Sequence, residues 1–290
     1  MTRYDQSIAT QFSERAALWK GMYDPQDTAV SPCIRAFMQR RRDLVIAGFE
    51  MHCRCARACV LDVGCGTGIF AKALAERGHH VLGLDLSPGM LALAHETTRE
   101  WVERGQVLLQ QGDVQDLPFA ANSVDAALAV GVFEYVPDIA RAASEMVRVV
   151  RPEGIVVVTL PNLLKLAHFL DPYYYVARFP GFVTSRLRRL VVGASANRGT
   201  LPDIGRNDKF LCHRFTFGSA SRLFTPLGCK RVSLHSVCFS GLSIWRRDLL
   251  GMQMRLRFSS ALCRISSLRG CRWLQAFADR WVVVFRKTSV

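Results

Sequence analysis

Between Ala58 and Thr159 the chain repeats one pattern, a short apolar run followed by a stretch with helical spacing. The runs at 60–63, 80–84, 123–130 and 154–159 are rich in Val, Leu and Ala and too short to be buried helices, so they read as strands. Helices are expected near 68–78, 88–103 and 138–149, with Gly78 and Gly105 well placed to terminate two of them. Pro152-Glu153-Gly154 reads as the turn into the strand at 154–159. Strands alternating with helices indicate right-handed βαβ units and a parallel sheet, so the fold class is α/β, doubly wound and Rossmann-like.

The flanks follow other rules. Residues 1–57 look helical, with a helical turn at Ser13–Trp19 and a longer helix opened by Pro32 and running to about Glu50. After Pro161 the pattern breaks. Thr216 to Leu227 reads as a capped helix, Cys229–Leu234 as a sixth strand and Trp281–Arg286 as the last. Met252–Phe258 alternates with period two, which argues against an amphipathic helix there. The chain therefore divides into 1–57, a core at 58–160, and 161–290, which completes the sheet and carries insertions at 161–212 and 241–279.

Chemistry enters where the first strand stops. Val60-Leu61-Asp62-Val63 runs into Gly64-Cys65-Gly66-Thr67-Gly68, which puts bare backbone N–H groups at the start of a helix. Asp85 closes the next strand, 21 residues after Gly64, at the distance where an acid can meet ribose hydroxyls. A dinucleotide fingerprint needs G-x-G-x-x-G. Here position 69 is Ile and the third glycine arrives one residue early.

That spacing, with an acid two residues before the first glycine, resembles motif I of the class I S-adenosylmethionine-dependent methyltransferases, in the group similar to quinone methyltransferases. Asp85-Leu86-Ser87-Pro88-Gly89-Met90 is similar to the motif after the family's second strand, and Gln111–Phe119 to the motif whose acid reads the adenine amino group. Gly131–Asp138 follows the fourth strand in family order. The resemblance implies S-adenosylmethionine as cofactor and a seven-stranded, mostly parallel sheet whose last strand is antiparallel. It also implies an N-terminal helical lid. Carried over residue by residue, Gly64, Cys65, Gly66 and Gly68 would pass around the amino-acid end and ribose, with Asp62 near the ammonium group. Asp85 and Leu86 would sit at the ribose, Met90 against the adenine, Asp113 and Val114 at the adenine amino group, and Val130 at the end of the fourth strand.

The residues after that strand narrow the acceptor. Val130-Gly131-Val132-Phe133-Glu134-Tyr135 lacks the Asn/Asp-Pro-Pro-Tyr/Phe motif of amino-group DNA methyltransferases, a Pro-Cys nucleophile, and the paired glutamates of protein arginine methyltransferases. A small-molecule or lipid-like acceptor, methylated on O, C or N, is what remains. His213 is the candidate general base, with Tyr4, Tyr135 and Glu134 behind it.

Charge adds a second theme. Residues 163–290 carry 22 Lys and Arg against 5 Asp and Glu, while the rest of the chain is close to neutral. An anionic partner for the basic half is expected. Phe169, Tyr173–Tyr175, Phe179 and Phe182, with Arg178, Arg186, Arg188 and Arg189, suit peripheral contact with an anionic membrane. Two alternatives accompany this reading: an RNA methyltransferase that uses the basic half, although nucleic acid has no visible binding module, and a non-catalytic cofactor-binding partner subunit. The ten cysteines contain no C-x-x-C pair and read as free thiols, with no metal site. The first residues lack a secretion signal and no run is long enough for a membrane span, so a cytoplasmic protein is expected. No sequence feature sets an oligomeric state.

Overall fold

The computed structural model describes residues 3–24, 30–170, 212–239, 243–244 and 247–289. Helices α1 (Arg3–Glu14), α2 (Ala16–Tyr23) and α3 (Pro32–His52) precede the first strand, β1 (Cys59–Val63). Then α4 (Ile69–Ala75), β2 (His80–Asp85), α5 (Pro88–Glu103), β3 (Val107–Gln111), β4 (Val124–Ala129), α6 (Ile139–Val149) and β5 (Val150–Pro161) follow in order, with β1, β2, β4 and β5 on the expected runs. Strand β3 lies on none of those runs and no helix separates it from β4, while β5 continues back through Pro152–Gly154, where Glu153 takes φ +64° in place of the expected turn. The remainder supplies α7 (Leu166–Leu170), α8 (Phe217–Phe224), β6 (Cys229–Cys238), a two-residue ribbon β7 (Ser243–Ile244) and β8 (Arg247–Asp248), α9 (Met252–Ser267), and β9 (Arg280–Lys287).

The main sheet has seven strands in the order β3-β2-β1-β4-β5-β9-β6. All neighbours from β3 to β5 are parallel, and β9 runs antiparallel to both β5 and β6. Period-two side-chain alternation sends neighbouring residues into two cores. Leu61 and Val63 pack with Met146, Phe224 and Trp281 on the face of α6 and α8. Val60 packs with Phe49, Phe70 and Leu74 on the face of α3 and α4. Val60, Leu61 and Val63 have no exposed surface, so the sheet centre is dry and close-packed.

Helix starts follow local chemistry. Pro32 and Pro88 occupy first-turn positions, where a missing N–H costs nothing. Ser87 caps α5 by accepting from Met90 N, Asp138 caps α6 by accepting from Arg141 N, and Thr216 with Ser219 closes a reciprocal box on α8.

One expectation is overturned. Met252–Phe258 lies within the helix α9. Its Met, Gln, Arg and Leu residues are good helix formers, and the residues that dock α9 on the sheet are the smaller Ser259, Cys263 and Ser266. The whole aromatic and arginine-rich stretch from Tyr173 to Arg189 lies outside the described residues. Among the described residues, no helix is long and apolar enough to cross a membrane.

Candidate functional site

At the carboxyl ends of β1, β2 and β4 the sheet opens into a cleft of about 170 Å3. This is where a doubly wound sheet leaves room for a ligand, because the connecting loops part on either side. Strand ends bring Val63 and Gly64, Leu84 and Asp85, and Val130 and Gly131 to its wall.

The loop after β1 is shaped by its glycines. Gly64 adopts φ +63°, and a Cβ there would collide with Val132 Cγ2, so any other residue would strain the backbone and push Val132 aside. Cys65 N donates to Leu84 O at 3.0 Å, which stitches the loop to β2. At Gly66 a Cβ would meet nothing nearer than Gly64 O at 3.9 Å, so bare backbone faces open space. Gly68 caps α4 and lies against Ala94; it does not line the cleft.

Asp85 holds the loop in place. Its Oδ2 accepts from Gly66 N at 2.8 Å and its Oδ1 from Ser87 N at 2.9 Å. Burial raises its pKa, and those same N–H groups oppose the rise. Leu86, Met90 and Val114 line the cleft beside it, and Met90 is buried. Asp113 also lines the cleft, where its carboxylate accepts from Gln115 N and from Gln115 Nε2.

Asp62 lies elsewhere. Strand alternation puts it on the Val60 face, beneath the helices, and it does not line the cleft. Among the described residues neither buried carboxylate oxygen has a partner within hydrogen-bond distance, and burial together with the Asp85 charge pushes its pKa up to about 8 against a smaller opposing pull from the Ala71 backbone N–H. Cys65 lines the cleft, but burial raises its thiol pKa well above the ordinary range, so it stays neutral. His213 also stands outside the lining: its backbone N donates to Glu134 O at 2.9 Å, and its buried Nε2 has no partner among the described residues.

The first helices complete the cleft. Asp5, Ile8 and Phe12 of α1 and Trp19 and Tyr23 of α2 line it. Tyr4 Oη donates to Tyr135 O at 3.1 Å, and the Phe12 ring meets Tyr135 edge-on at 5.3 Å. Tyr135 lines the cleft too, and its pKa is raised first by burial and then by the Glu134 charge, so the phenol remains protonated. Glu134 binds Arg280 through two hydrogen bonds of 2.9 and 2.8 Å, joining the loop after β4 to the start of β9.

Arg41 is the residue that sequence reading missed. It is 5% exposed, lines the cleft, donates through Nη2 to Tyr23 Oη, and lies within about 6 Å of the Tyr23 and Phe37 ring centres. Among the described residues its Nε has no partner, and it forms no ion pair with a carboxylate. The run Arg40-Arg41-Arg42 looks like a solvated face. A periodic signal was nonetheless available, because Arg41 falls on the buried stripe of Met38, Val45 and Phe49.

A model of the methyltransferase domain family matches residues 61–158, from β1 through most of β5. The chain carries a class I S-adenosylmethionine-dependent methyltransferase domain. It is 34% identical over 134 residues to the biotin biosynthesis bifunctional protein BioHC of Cellvibrio japonicus, a match covering 43% of this chain and 25% of that protein. It is 32% identical over 168 residues to the ubiquinone biosynthesis O-methyltransferase of Azorhizobium caulinodans, covering 54% of this chain and 63% of that enzyme. The chain thus spans between a quarter and just under two thirds of these two curated relatives. Among solved structures, magnesium protoporphyrin IX methyltransferase from Synechocystis, with bound SAH, superposes with a TM-score of 0.59 at 14% identity, over 98% of this chain and 99% of that one. This likeness extends the shared fold well beyond the domain at 61–158.

Proposed function

We propose that this methyltransferase domain moves a methyl group from S-adenosylmethionine to O, C or N of a small or lipid-like acceptor. A single observation carries the reading: one cleft is lined both by the glycine loop with Asp85 and Asp113 and by the apolar side chains Ile8, Phe12, Trp19 and Val136. Donor and acceptor pockets are therefore continuous.

The residues present fit the cofactor. Open backbone at Gly66, a buried guanidinium at Arg41 with no carboxylate partner among the described residues, and a carboxylate at Asp85 offer complements to its sulfonium arm, carboxylate and ribose. S-adenosylmethionine, when bound, supplies a methyl already activated on sulfur. Asp85 would accept from the two ribose hydroxyls with the lone pairs that Gly66 N and Ser87 N leave free. Arg41 would pair with the cofactor carboxylate inside the buried site. Asp113 would accept from the adenine amino group, with Met90 and Val114 against the ring. Tyr135, kept neutral by burial, would orient a polar atom of the acceptor by donating its phenol hydrogen. The apolar residues of α1 and α2 would keep water from the reacting atoms, which leaves positioning as the main contribution of the protein. The similarity to an O-methyltransferase of ubiquinone biosynthesis supports a small-molecule acceptor.

Calorimetry with S-adenosylhomocysteine tests the cofactor half. Wild type binds, and Asp85→Ala weakens binding by about tenfold or more, since two backbone donors also lose their acceptor. Incubation with methyl-labelled cofactor and a cell extract tests the other half. Label recovered in a small-molecule or lipid fraction supports the reading. Label in RNA, or none in any fraction, overturns it.

A further inference from the structure

Helix α9 presents two different faces. One is pinned to β6 and the residue after it by small residues: Ser259 Oγ accepts from Phe239 N at 3.1 Å, Cys263 Sγ reaches Val237 O at 3.7 Å, and Ser266 Oγ lies 3.4 Å from Ser236 Oγ. These positions follow i, i+4, i+7 spacing and occupy one side of the helix. Met254, Phe258, Ala261, Ile265 and Leu268 follow the same spacing half a turn away, on the opposite side. This outer stripe is open, with Met254 58%, Ile265 39% and Leu268 60% exposed.

The neighbouring segment extends it. Trp273, in the 3-10 helix Arg269–Phe277 that follows α9, is 64% exposed. Its ring meets Phe277 at 6.2 Å, and Phe277 meets Phe169 of α7 at 5.5 Å. Large apolar side chains left in water on adjoining elements mark a contact surface.

Charge selects the partner. From Leu249 to Ala278 there are five arginines, at 255, 257, 264, 269 and 272, and no acidic residue. Arg257 and Arg264 are both exposed and, one heptad apart, flank the outer stripe. A second copy seated face to face would bring these arginines against their own counterparts. RNA would match the charge and could stack on Trp273, but it would leave the exposed Met254, Ile265 and Leu268 without an apolar partner. A bilayer with anionic headgroups satisfies both features, taking the stripe and Trp273 at the acyl boundary and the guanidiniums at the phosphates.

We propose that the outer face of α9, with Trp273, docks this protein on an anionic lipid surface, the helix lying in the plane of the membrane. The inference stands on this face alone, independently of the methyl-transfer reading.

Flotation of the full chain with phosphatidylglycerol–phosphatidylcholine vesicles, and with phosphatidylcholine vesicles, tests it. The protein floats with the anionic vesicles and stays at the bottom with the neutral ones. Tryptophan emission shifts to the blue on anionic vesicles, and Trp273→Phe removes that shift. The triple variant Met254→Ser, Ile265→Ser, Leu268→Ser no longer floats, yet binds S-adenosylhomocysteine as wild type does, which shows that its fold is intact. Arg257→Gln and Arg264→Gln each weaken vesicle affinity by roughly fivefold, as about 1 kcal/mol per basic residue implies. Equal flotation with both vesicle types overturns the proposal. So does a dimer that the triple variant dissociates, or an RNA complex that it abolishes, when no vesicle binding is seen.

Discussion

Ser13 Oγ lies 2.8 Å from Ser87 Oγ, which ties the first helix to the cap of the helix that follows Asp85. Ser13 Oγ also accepts from Gly89 N at 3.2 Å, so one hydroxyl serves both ends of the contact. The two residues are 74 positions apart, and neither carries a sequence signal for the other. At Gly89 a Cβ would stand 2.8 Å from Ser13 Cα. Gly89→Ala should therefore displace α1, lower S-adenosylhomocysteine affinity several-fold and speed amide exchange in residues 3–14. Ser13→Ala should do the same more mildly, at about 1 kcal/mol. Unchanged exchange in both variants would mean that α1 is held by packing alone.

Arg41 separates cofactor contacts by chemistry. Arg41→Gln should lower the affinity for S-adenosylhomocysteine by about tenfold or more, since a charge-assisted pair in a buried site is lost. Affinity for methylthioadenosine, which has no carboxylate, should hardly change. Equal losses for both ligands would assign Arg41 to the architecture of Tyr23 and Phe37 instead.

The Glu134–Arg280 pair makes a stability prediction. The two side chains are 6% and 19% exposed and bonded at both ends of the guanidinium. Burial alone would lower the pKa of Arg280, but the Glu134 charge outweighs it and raises the pKa. Glu134→Ala strands a buried cation and should cost about 3–5 kcal/mol in urea unfolding. Pairing Glu134→Leu with Arg280→Met should restore most of that. If the double variant is as unstable as the single one, the pair is not the cause.

Asp62 gives a pH dependence. A free Asp ionises near pH 3.9, whereas burial and the Asp85 charge push Asp62 up to about 8 in the fold. Between about pH 4 and pH 8 the folded chain keeps a proton that the unfolded chain has released. Stability must fall as pH rises through that window and level off above it. Asp62→Asn mimics the protonated form and should flatten the fall in melting temperature. It should not abolish the fall, because Asp85 shifts the same way. Identical slopes for wild type and variant, measured by scanning calorimetry, would show that Asp62 is ionised in the fold.

The cofactor half was legible in the sequence because its determinants are local. Glycine spacing, strand-terminal acids and capping prolines act within a few residues, and each of β1, β2, β4 and α5 followed from them. What stayed hidden depends on distant partners. Arg41 looked solvated until α3 was seen packed against α2, and Glu134 gained its meaning from a strand 146 residues away. The alternation at Met252–Phe258 misled because large apolar residues there point outward, while small ones make the inner contact. A reading that equates apolar with buried fails where a surface is itself apolar.

The antiparallel placement of β9 between β5 and β6 has a consequence for synthesis. Both flanking strands leave the ribosome before β9 does, and each exposes an unpaired edge until it arrives. Premature termination near residue 275 would leave two open edges around a missing centre strand, a species prone to aggregate. A chain cut short there keeps the residues of the glycine loop but lacks the strand that joins β6 to the rest of the sheet.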